Sequence, residues 1–188
     1  VPGTAAGLRA VEELLFEGIN INVTLLFGVA TYCEVFETFM RAMERRQAAG
    51  KELDSIRSVA SIFLSRIDVL VDGLLSQRIH HSVSPSLQKQ AKDLLGLTAI
   101  ANAKLVYATF KRYLQSARWQ PLAQSGATPQ AIVWASTGVK LPDYAETHYI
   151  DPLIGPHTIS TMPIVTAQAF ARHGRVAATV EESLADAE

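Results

Sequence analysis

The chain has 188 residues, of which 48% are hydrophobic and 19% are charged, and its formal net charge is −1. This composition is typical of a globular protein with a sizeable core and excludes an intrinsically disordered chain. A net charge near zero supplies no global cationic field, which excludes a protein that binds nucleic acid irrespective of sequence. Any anionic ligand has to be bound by local groups.

The chain shows no pattern that marks export or membrane insertion. Its most apolar window, residues 19–29, is too short to span a bilayer, and the start lacks the successive charged, hydrophobic and cleavage regions of a signal peptide. The single cysteine, Cys33, excludes a disulfide within the chain, which favours a reducing compartment. We therefore expect a cytoplasmic protein that binds neither nucleic acid nor a membrane.

The first part of the chain predicts a helix, a strand and a second helix. Thr4 is suited to be an N-cap, the apolar residues after it recur at helical spacing, and Gly18 ends the helix. Residues 19–27 form a continuous apolar run with β-branched members, the pattern of a strand buried on both faces. The apolar stripe of the second helix consists of Val35, Phe36, Phe39, Met40 and Met43.

Three polar residues interrupt this first strand. Asn20, Asn22 and Thr24 stand where a purely structural strand would carry valine or isoleucine. An unpaired polar group in an apolar interior costs about 1–3 kcal/mol, so such residues need partners. Side chains two residues apart lie on one face of a strand. We expect Asn22 and Thr24 to hydrogen-bond to something held inside the fold, such as a substrate.

The rest of the chain predicts three more strands separated by helical segments. The strands are expected at residues 58–64, 131–135 and 157–161. Helical patterns are expected over most of residues 68–124 with a loop at residues 82–86, near residues 145–153 after the loop around Pro142, and from Pro163 to Gly174. Strands that alternate with helices imply parallel strands joined by right-handed crossovers.

Four such strands fit either a doubly wound open sheet or part of a closed barrel. Polar residues recur at or near the carboxyl ends of the strands, and barrel enzymes assemble their active sites at that end. No GxGxxG or GxxxxGK[ST] run supports a nucleotide-binding alternative. We therefore predict an α/β fold that forms part of a barrel.

Six ordered blocks of the sequence closely resemble transaldolases. The blocks are VPGTAAG (1–7), GININVTLLF (18–27), SVASIFLSRID (58–68), ANAKLVY (101–107), VWASTG (133–138) and TISTMP (158–163). The resemblance is closest to the longer bacterial branch, which also occurs fused to glucose-6-phosphate isomerase. It implies a (β/α)8 TIM barrel of which residues 1–188 are a partial domain, from the end of strand 4 through strand 8. The N-terminal strands and the extreme C-terminal helix are then expected outside these residues.

The resemblance also implies a reaction and its nucleophile. Transaldolases of the pentose phosphate pathway transfer a dihydroxyacetone unit from sedoheptulose 7-phosphate to glyceraldehyde 3-phosphate through a lysine Schiff base, without a metal or an organic cofactor. In the family pattern the lysine directly precedes the segment that matches Val1. None of the six lysines present is a persuasive substitute, so we expect these 188 residues alone to be inactive. A homodimer or a fusion to the isomerase is compatible with the resemblance.

The resemblance assigns roles to residues on the first two strands. Asn22 matches the asparagine that hydrogen-bonds the hydroxyls of the substrate, and Thr24 matches the threonine that helps to hold the catalytic water. Ser61 matches a serine that faces the sugar, and Phe63 an aromatic residue that lines the pocket. The alternative for Asn22 and Thr24 is a pair of internal hydrogen bonds that only tie neighbouring strands.

Three further residues are expected to bind the phosphate of a sugar phosphate. Arg66 matches a phosphate-binding arginine, whose planar fork suits phosphate oxygens, and the alternative is an ion pair with Asp68 or another carboxylate. Ser136 matches a phosphate-site serine. Shorter family members carry an arginine two residues later, where this chain has Gly138, so we expect Lys140 or backbone amides to supply that charge. The alternative for Lys140 is an exposed lysine that binds no ligand.

Two other functions remain open at this point. The first is a related Schiff-base aldolase that releases free dihydroxyacetone. The second is a non-catalytic remnant that binds sugar phosphates. A metal site is not expected, because the five histidines lack HxxxH spacing and have no nearby cysteine pair.

Overall fold

A computed structural model of the protein describes residues 1–141 and 143–187. The main elements, in chain order, are α1 (Ala5–Glu17), β1 (Ile21–Leu26), α2 (Val29–Ala48), β2 (Ser58–Phe63), α3 (Ser65–His81), α4 (Pro85–Asp93), α5 (Thr98–Leu114), α6 (Trp119–Gln124), β3 (Ala131–Ala135), β4 (Thr158–Ser160) and α7 (Ile164–His173). Two short 3-10 helices lie at Asp151–Leu153 and Leu184–Ala187.

The four strands form one parallel sheet in the order β1-β2-β3-β4. Each strand therefore lies beside the strand that follows it in the chain. Helices connect β1 to β2 and β2 to β3. Strands that follow one another in chain order without a reversal are the arrangement found in (β/α) barrels, whereas a doubly wound sheet reverses its order. The α/β class is confirmed, and the sheet is consistent with a partial TIM barrel.

The first helix shows how closely local signals determined the element boundaries. Thr4 is the N-cap of α1, and its hydroxyl accepts a hydrogen bond from the Gly7 amide at 3.1 Å. Gly18 ends the helix in the left-handed region with a φ of 95°. Glycine is required at position 7 because a Cβ there would lie 2.0 Å from the carbonyl oxygen of Pro2.

Two predictions about local structure are wrong. β1 is not buried on both faces: Ile21 and Val23 are buried, whereas Asn22 is exposed and Thr24 is half-buried. Side chains alternate across a strand, so the polar residues occupy one open face and the aliphatic residues the other. The helix expected near residues 145–153 is a run of turns followed by the short 3-10 helix at its end. Pro142 lies outside the described residues.

The chain divides into two compact units. The first consists of Val1–Ile62, Val106–Trp134 and Pro156–Ile159. The second consists of Phe63–Leu105, Ala135–Gly155 and Ser160–Glu188. Among the described residues, no helix combines the length and apolar character that crossing a membrane requires.

The core of the first unit consists of aromatic and aliphatic side chains. The fully buried ring of Phe36 stacks on Tyr113 with 4.7 Å between centroids. It also contacts Phe39, Phe110 and Trp119 at centroid distances of 5.7, 6.1 and 6.2 Å. These distances lie in the range of favourable aromatic pairs. The predicted apolar stripe of α2 therefore supplies the centre of this core.

The second unit buries polar side chains instead. In α3, Asp68 and Asp72 are buried, whereas Val69, Leu70 and Leu74 are at least half exposed. This is the reverse of the usual amphipathic arrangement. It is possible because each buried carboxylate accepts hydrogen bonds, which offset part of the cost of burial.

Candidate active site

The first group of predicted site residues lies on β1 and β2. Asn22 pairs with Val59, and Val23 with Ala60 in the parallel ladder. Ser61 is buried, and its Oγ donates a hydrogen bond to Asn22 Oδ1 at 2.7 Å. Because this bond occupies the carbonyl oxygen of the side chain, the Asn22 amide group is fixed with its two N–H donors directed elsewhere.

A β-bulge follows directly at the carboxyl end of β1. Three residues of β1 advance from Val23 to Leu26 while two residues of β2 advance from Ala60 to Ile62. The extra residue, Leu25, has a φ of 61°. A non-glycine residue in this region is uncommon, and bulges of this kind re-aim the neighbouring side chains. The bulge therefore sets the direction in which Thr24 points.

The segment 1–3 runs parallel to β1 on its open edge. Pro2 forms a parallel bridge with Thr24. The Thr24 amide donates to the Val1 carbonyl at 2.8 Å, and the Gly3 amide donates to the Thr24 carbonyl at 2.9 Å. The Val1 amino group donates to the Asn22 carbonyl at 2.9 Å. These hydrogen bonds pair residues 1–3 with β1 beside Asn22 and Thr24.

The second group of predicted residues lies at the start of α3 and after β3. Arg66 is exposed, and its Cζ lies 4.9 Å from the centre of the Phe63 ring, in cation–π contact. The alternative prediction paired Arg66 with Asp68, but other groups bind the Asp68 carboxylate. Asp68 accepts hydrogen bonds from the Ala99 amide at 2.8 Å and the Tyr149 hydroxyl at 2.9 Å.

The buried carboxylates fasten α3 within the second unit. Burial raises the pKa of the Asp68 carboxyl, although the bonds from Ala99 and Tyr149 act in the opposite direction. Asp72 accepts hydrogen bonds from the Gly96 amide at 3.0 Å and the Tyr144 hydroxyl at 2.7 Å. These contacts fix the helix whose first turn carries Arg66.

Lys140 lines two neighbouring cavities of the second unit. One, of about 410 Å³, is lined by Ser65, Arg66, Val69 and Lys140. The other, of about 310 Å³, is lined by Ser136, Thr137, Gly138, Lys140, Thr161, Met162 and Pro163. Two cations and several hydroxyl groups therefore face these cavities, which suits an anion such as a phosphate.

Gly138 provides the room that this arrangement uses. A Cβ on Gly138 would lie 3.1 Å from Pro163 Cγ and 3.9 Å from the Lys140 ammonium nitrogen. The ammonium group thus lies beside the position where a side chain at residue 138 would begin. That Lys140 supplies the charge expected near Gly138 stays a prediction.

The sequence analysis missed one residue of this second group. Ser65 is fully buried, and its Oγ lies 2.9 Å from Ser136 Oγ. A serine directly after a strand and at the start of a helix is common for local reasons, so nothing in the sequence pattern distinguished it.

Among the described residues, no group of three histidine, cysteine, aspartate or glutamate residues is placed to hold a metal ion.

Comparison with known proteins identifies relatives over the whole chain. The chain is 46% identical to "Transaldolase 2" of Nostoc sp. (strain PCC 7120) over 188 residues, which are all of this chain and 49% of that protein. It is 44% identical to the transaldolase of Thermobifida fusca over 176 residues, 94% of this chain and 46% of that protein. With the transaldolase of Mycobacterium tuberculosis it shares 43% identity over 190 residues, 100% of this chain and 49% of that protein.

The chain spans about half the length of the curated relatives it matches. The sequence model of the family described as Transaldolase/Fructose-6-phosphate aldolase matches residues 1–188. This match agrees with the parallel sheet and confirms the resemblance seen in the six sequence blocks. The chain belongs to the transaldolase/fructose-6-phosphate aldolase family.

Proposed function

We propose that the protein that contains these residues is a transaldolase of the pentose phosphate pathway. It transfers a dihydroxyacetone unit from sedoheptulose 7-phosphate to glyceraldehyde 3-phosphate through a lysine Schiff base. The observation that carries this proposal is the Asn22–Ser61 hydrogen bond of 2.7 Å beside the segment 1–3. It orients a polar side chain on the strand next to the expected lysine.

The register of that segment supports the position of the lysine. Pro2 lies opposite Thr24 in a parallel pairing. Side chains of residues paired in neighbouring parallel strands lie on the same face, and the face repeats every two residues. Two residues before Pro2, the position that precedes Val1 lies opposite Asn22 and on the same face. A lysine there has its amine on the side of the sheet that carries Asn22 and Thr24.

The chemistry needs few other groups. The neutral amine adds to the ketone of the donor sugar, and the resulting hydroxyl group takes up a proton and leaves as water, which forms a protonated imine. The imine draws electrons from the bond between the carbons α and β to it while the β-hydroxyl gives up its proton, and the aldehyde product departs. The remaining enamine attacks the acceptor aldehyde, whose oxygen takes up a proton, and water then hydrolyses the new imine and frees the lysine. Asn22 donates its amide N–H to a substrate hydroxyl, and Thr24 helps to hold the water that is added or removed. On this proposal the 188 residues alone lack the nucleophile, and we expect no turnover from them.

The residues of the second unit serve the phosphate group. Arg66 and Lys140 supply two positive charges, and Ser136 supplies a hydroxyl donor. Arginine presents paired N–H donors that match phosphate oxygens, whereas lysine acts as a compact point charge. Phe63 contacts the Arg66 guanidinium and restricts its orientation. Sugar phosphates are therefore the substrate class that these residues suit.

Product analysis with the full-length protein tests the proposal. The enzyme is incubated with fructose 6-phosphate, with and without erythrose 4-phosphate as acceptor. We expect sedoheptulose 7-phosphate to form only when the acceptor is present, and only traces of free dihydroxyacetone without it. Appreciable free dihydroxyacetone without an acceptor would instead assign the aldolase activity, and no turnover in either case would favour a non-catalytic protein that binds sugar phosphates.

A further inference from the structure

Ser136, the hydroxyl donor of the proposed phosphate site, is paired with a second serine that the proposed function does not use. Ser65 Oγ and Ser136 Oγ lie 2.9 Å apart. Ser65 is fully buried, so no solvent competes for its hydroxyl, whereas Ser136 is half-buried. Two backbone bonds reinforce the pair: the Leu64 amide donates to the Ala135 carbonyl, and the Ser65 amide donates to the Ser136 carbonyl, both at 3.0 Å.

The backbone of Ser136 is held in an unusual conformation. Its φ is 55°, in the left-handed region that residues other than glycine seldom adopt. Such a conformation is unfavourable for a residue with a Cβ and persists only where neighbouring contacts determine it. The amide and the hydroxyl of Ser65 provide two such contacts. Ser65 therefore constrains both the backbone and the side chain of Ser136.

The pair lies between the two cationic cavities. Ser65 lines the cavity that contains Arg66, and Ser136 lines the cavity next to Gly138, while Lys140 lines both. A hydroxyl has one proton to donate and two lone pairs to accept with. Only one proton can lie between the two serine oxygens. If Ser65 donates it, the Ser136 proton remains available to an anion in the cavity.

We propose that Ser65 is a positioning residue for phosphate recognition, an inference that rests on the proposed function. Ser65 donates its hydroxyl proton to Ser136 Oγ, and its backbone amide donates to the Ser136 carbonyl oxygen. Ser136 is thereby held with its own O–H directed at a phosphate oxygen. Arg66 and Lys140 supply the charge, and the serine pair supplies a correctly oriented neutral donor.

Titration of the full-length protein with inorganic phosphate tests this inference directly. Ser65→Ala removes the donor to Ser136, and Ser65→Cys retains most of the volume with only a weak donor. We expect each to weaken phosphate binding by about 2- to 12-fold, the range of one neutral hydrogen bond. Ser76→Ala, an exposed serine of the same helix, is the matched control and should leave the affinity unchanged.

The Ser65→Ala substitution is also made in a Ser136→Gly background, which separates a positioning role from general damage to the structure. Ser136→Gly removes the hydroxyl and adopts the left-handed φ without strain. In that background Ser65→Ala should weaken phosphate binding no further. In kinetics, Ser65→Ala should raise the KM for fructose 6-phosphate at unchanged kcat and leave the cleavage of unphosphorylated fructose unaffected. If Ser65→Ala weakens phosphate binding by the same factor in the Ser136→Gly background as in the wild type, the proposal is overturned.

The same titration distinguishes failure of this inference from failure of the proposed function. If Arg66→Ala weakens phosphate binding while Ser65→Ala binds phosphate as the wild type does, the positioning role is wrong and the phosphate site stands. If the wild-type protein neither binds inorganic phosphate nor turns over sugar phosphates, the proposed function fails and this inference fails with it.

Discussion

The two compact units achieve stability by different means. The first is organised around the ring of Phe36 and its aromatic neighbours, with the apolar stripe of α2 directed inward. The second buries Asp68 and Asp72 in α3 and leaves Val69 and Leu70 exposed. In the first unit, removal of apolar surface from water is the main stabilising effect. In the second, satisfied hydrogen bonds determine which face of the helix is buried.

The same contrast separates the two groups of site residues. The first unit contributes neutral donors and acceptors, Asn22, Thr24 and Ser61, held on a sheet. The second contributes two cations, Arg66 and Lys140. Strand positions fix side chains rigidly, which suits the orientation of a reacting sugar. Long cationic side chains reach from a helix and a loop, which suits the capture of an anion.

The largest expected effect tests the apolar character of the first unit. Phe36→Ala in the full-length protein should lower the free energy of unfolding by about 3–5 kcal/mol, because it leaves a cavity among aromatic side chains. Urea denaturation measures this. Leu70→Ala, which truncates a side chain that is 66% exposed, is the control and should change stability by less than about 0.5 kcal/mol. Similar losses for both variants would abolish the distinction between the units.

The second prediction tests the buried carboxylate of α3. Asp68→Ala leaves the Ala99 amide and the Tyr149 hydroxyl without their acceptor, which should cost about 1–3 kcal/mol for each buried group. Asp68→Asn retains an acceptor for the amide and avoids burying a charge, so its loss should be much smaller. Urea denaturation of the two variants tests whether the hydrogen bonds of Asp68 stabilise this unit. Equal losses in the free energy of unfolding would mean that the volume of the side chain matters and its hydrogen bonds do not.

A comparison of the wild type with Asp68→Asn tests the pH dependence of stability, whose sign follows from the pKa of Asp68. Burial raises the pKa of Asp68 above its ordinary value, so the folded protein binds this proton more tightly than the unfolded chain does. The contribution of Asp68 to the free energy of unfolding therefore increases as the pH falls through the raised pKa toward the unfolded value. Relative to Asp68→Asn, the wild type should gain stability on acidification over that window. A relative loss would contradict the raised pKa.

The fourth prediction concerns the cationic side chain of Arg66. Arg66→Ala should raise the KM for fructose 6-phosphate by about 10- to 100-fold, since hydrogen bonds to charged groups contribute about 1.5–3 kcal/mol. Cleavage of unphosphorylated fructose should be unaffected. Arg78→Ala, in the exposed last turn of the same helix, is the matched control. Steady-state kinetics on both sugars measures the effect, and equal losses on the two sugars would remove Arg66 from phosphate binding.

The smallest expected effect concerns the neutral pair on the sheet. Ser61→Ala should lower kcat/KM by about 2- to 12-fold, because the Asn22 amide loses the contact that orients it. In an Asn22→Ala background the same change should have no further effect. Asn20→Ala is the control on the same segment, because Asn20 accepts a hydrogen bond from the Arg57 amide at 2.7 Å and serves the fold. Additive losses from Ser61→Ala and Asn22→Ala would show that the two residues act separately.

The fold was largely predictable because its signals are local. The cap at Thr4, the turn at Gly18 and the stripe of α2 each depend on residues within a few positions of one another. The predicted strand at residues 131–135 agrees with β3 at both ends. Periodicity failed where burial is decided by distant partners: the open face of β1 and the buried acids of α3 both depend on contacts across the chain.

The candidate site was predictable to a smaller extent. Asn22 and Arg66 were identified because polar residues near strand ends are chemically conspicuous. The role of Asn20 differs from that of its neighbours, since it binds a backbone amide. Ser65 was missed because its significance comes from a serine 71 positions later in the chain. Contacts of this kind arise from the register of two strands and leave no trace in the spacing of nearby residues.

The proposed function depends on a Schiff base at a lysine expected directly before Val1. Borohydride reduction of the full-length protein in the presence of fructose 6-phosphate, followed by mass spectrometry of its peptides, tests it most directly. We expect a dihydroxyacetone adduct on the lysine immediately before Val1, and its loss when that lysine is replaced by arginine. An adduct on Lys104 or Lys140, or no adduct in an active preparation, would contradict the account.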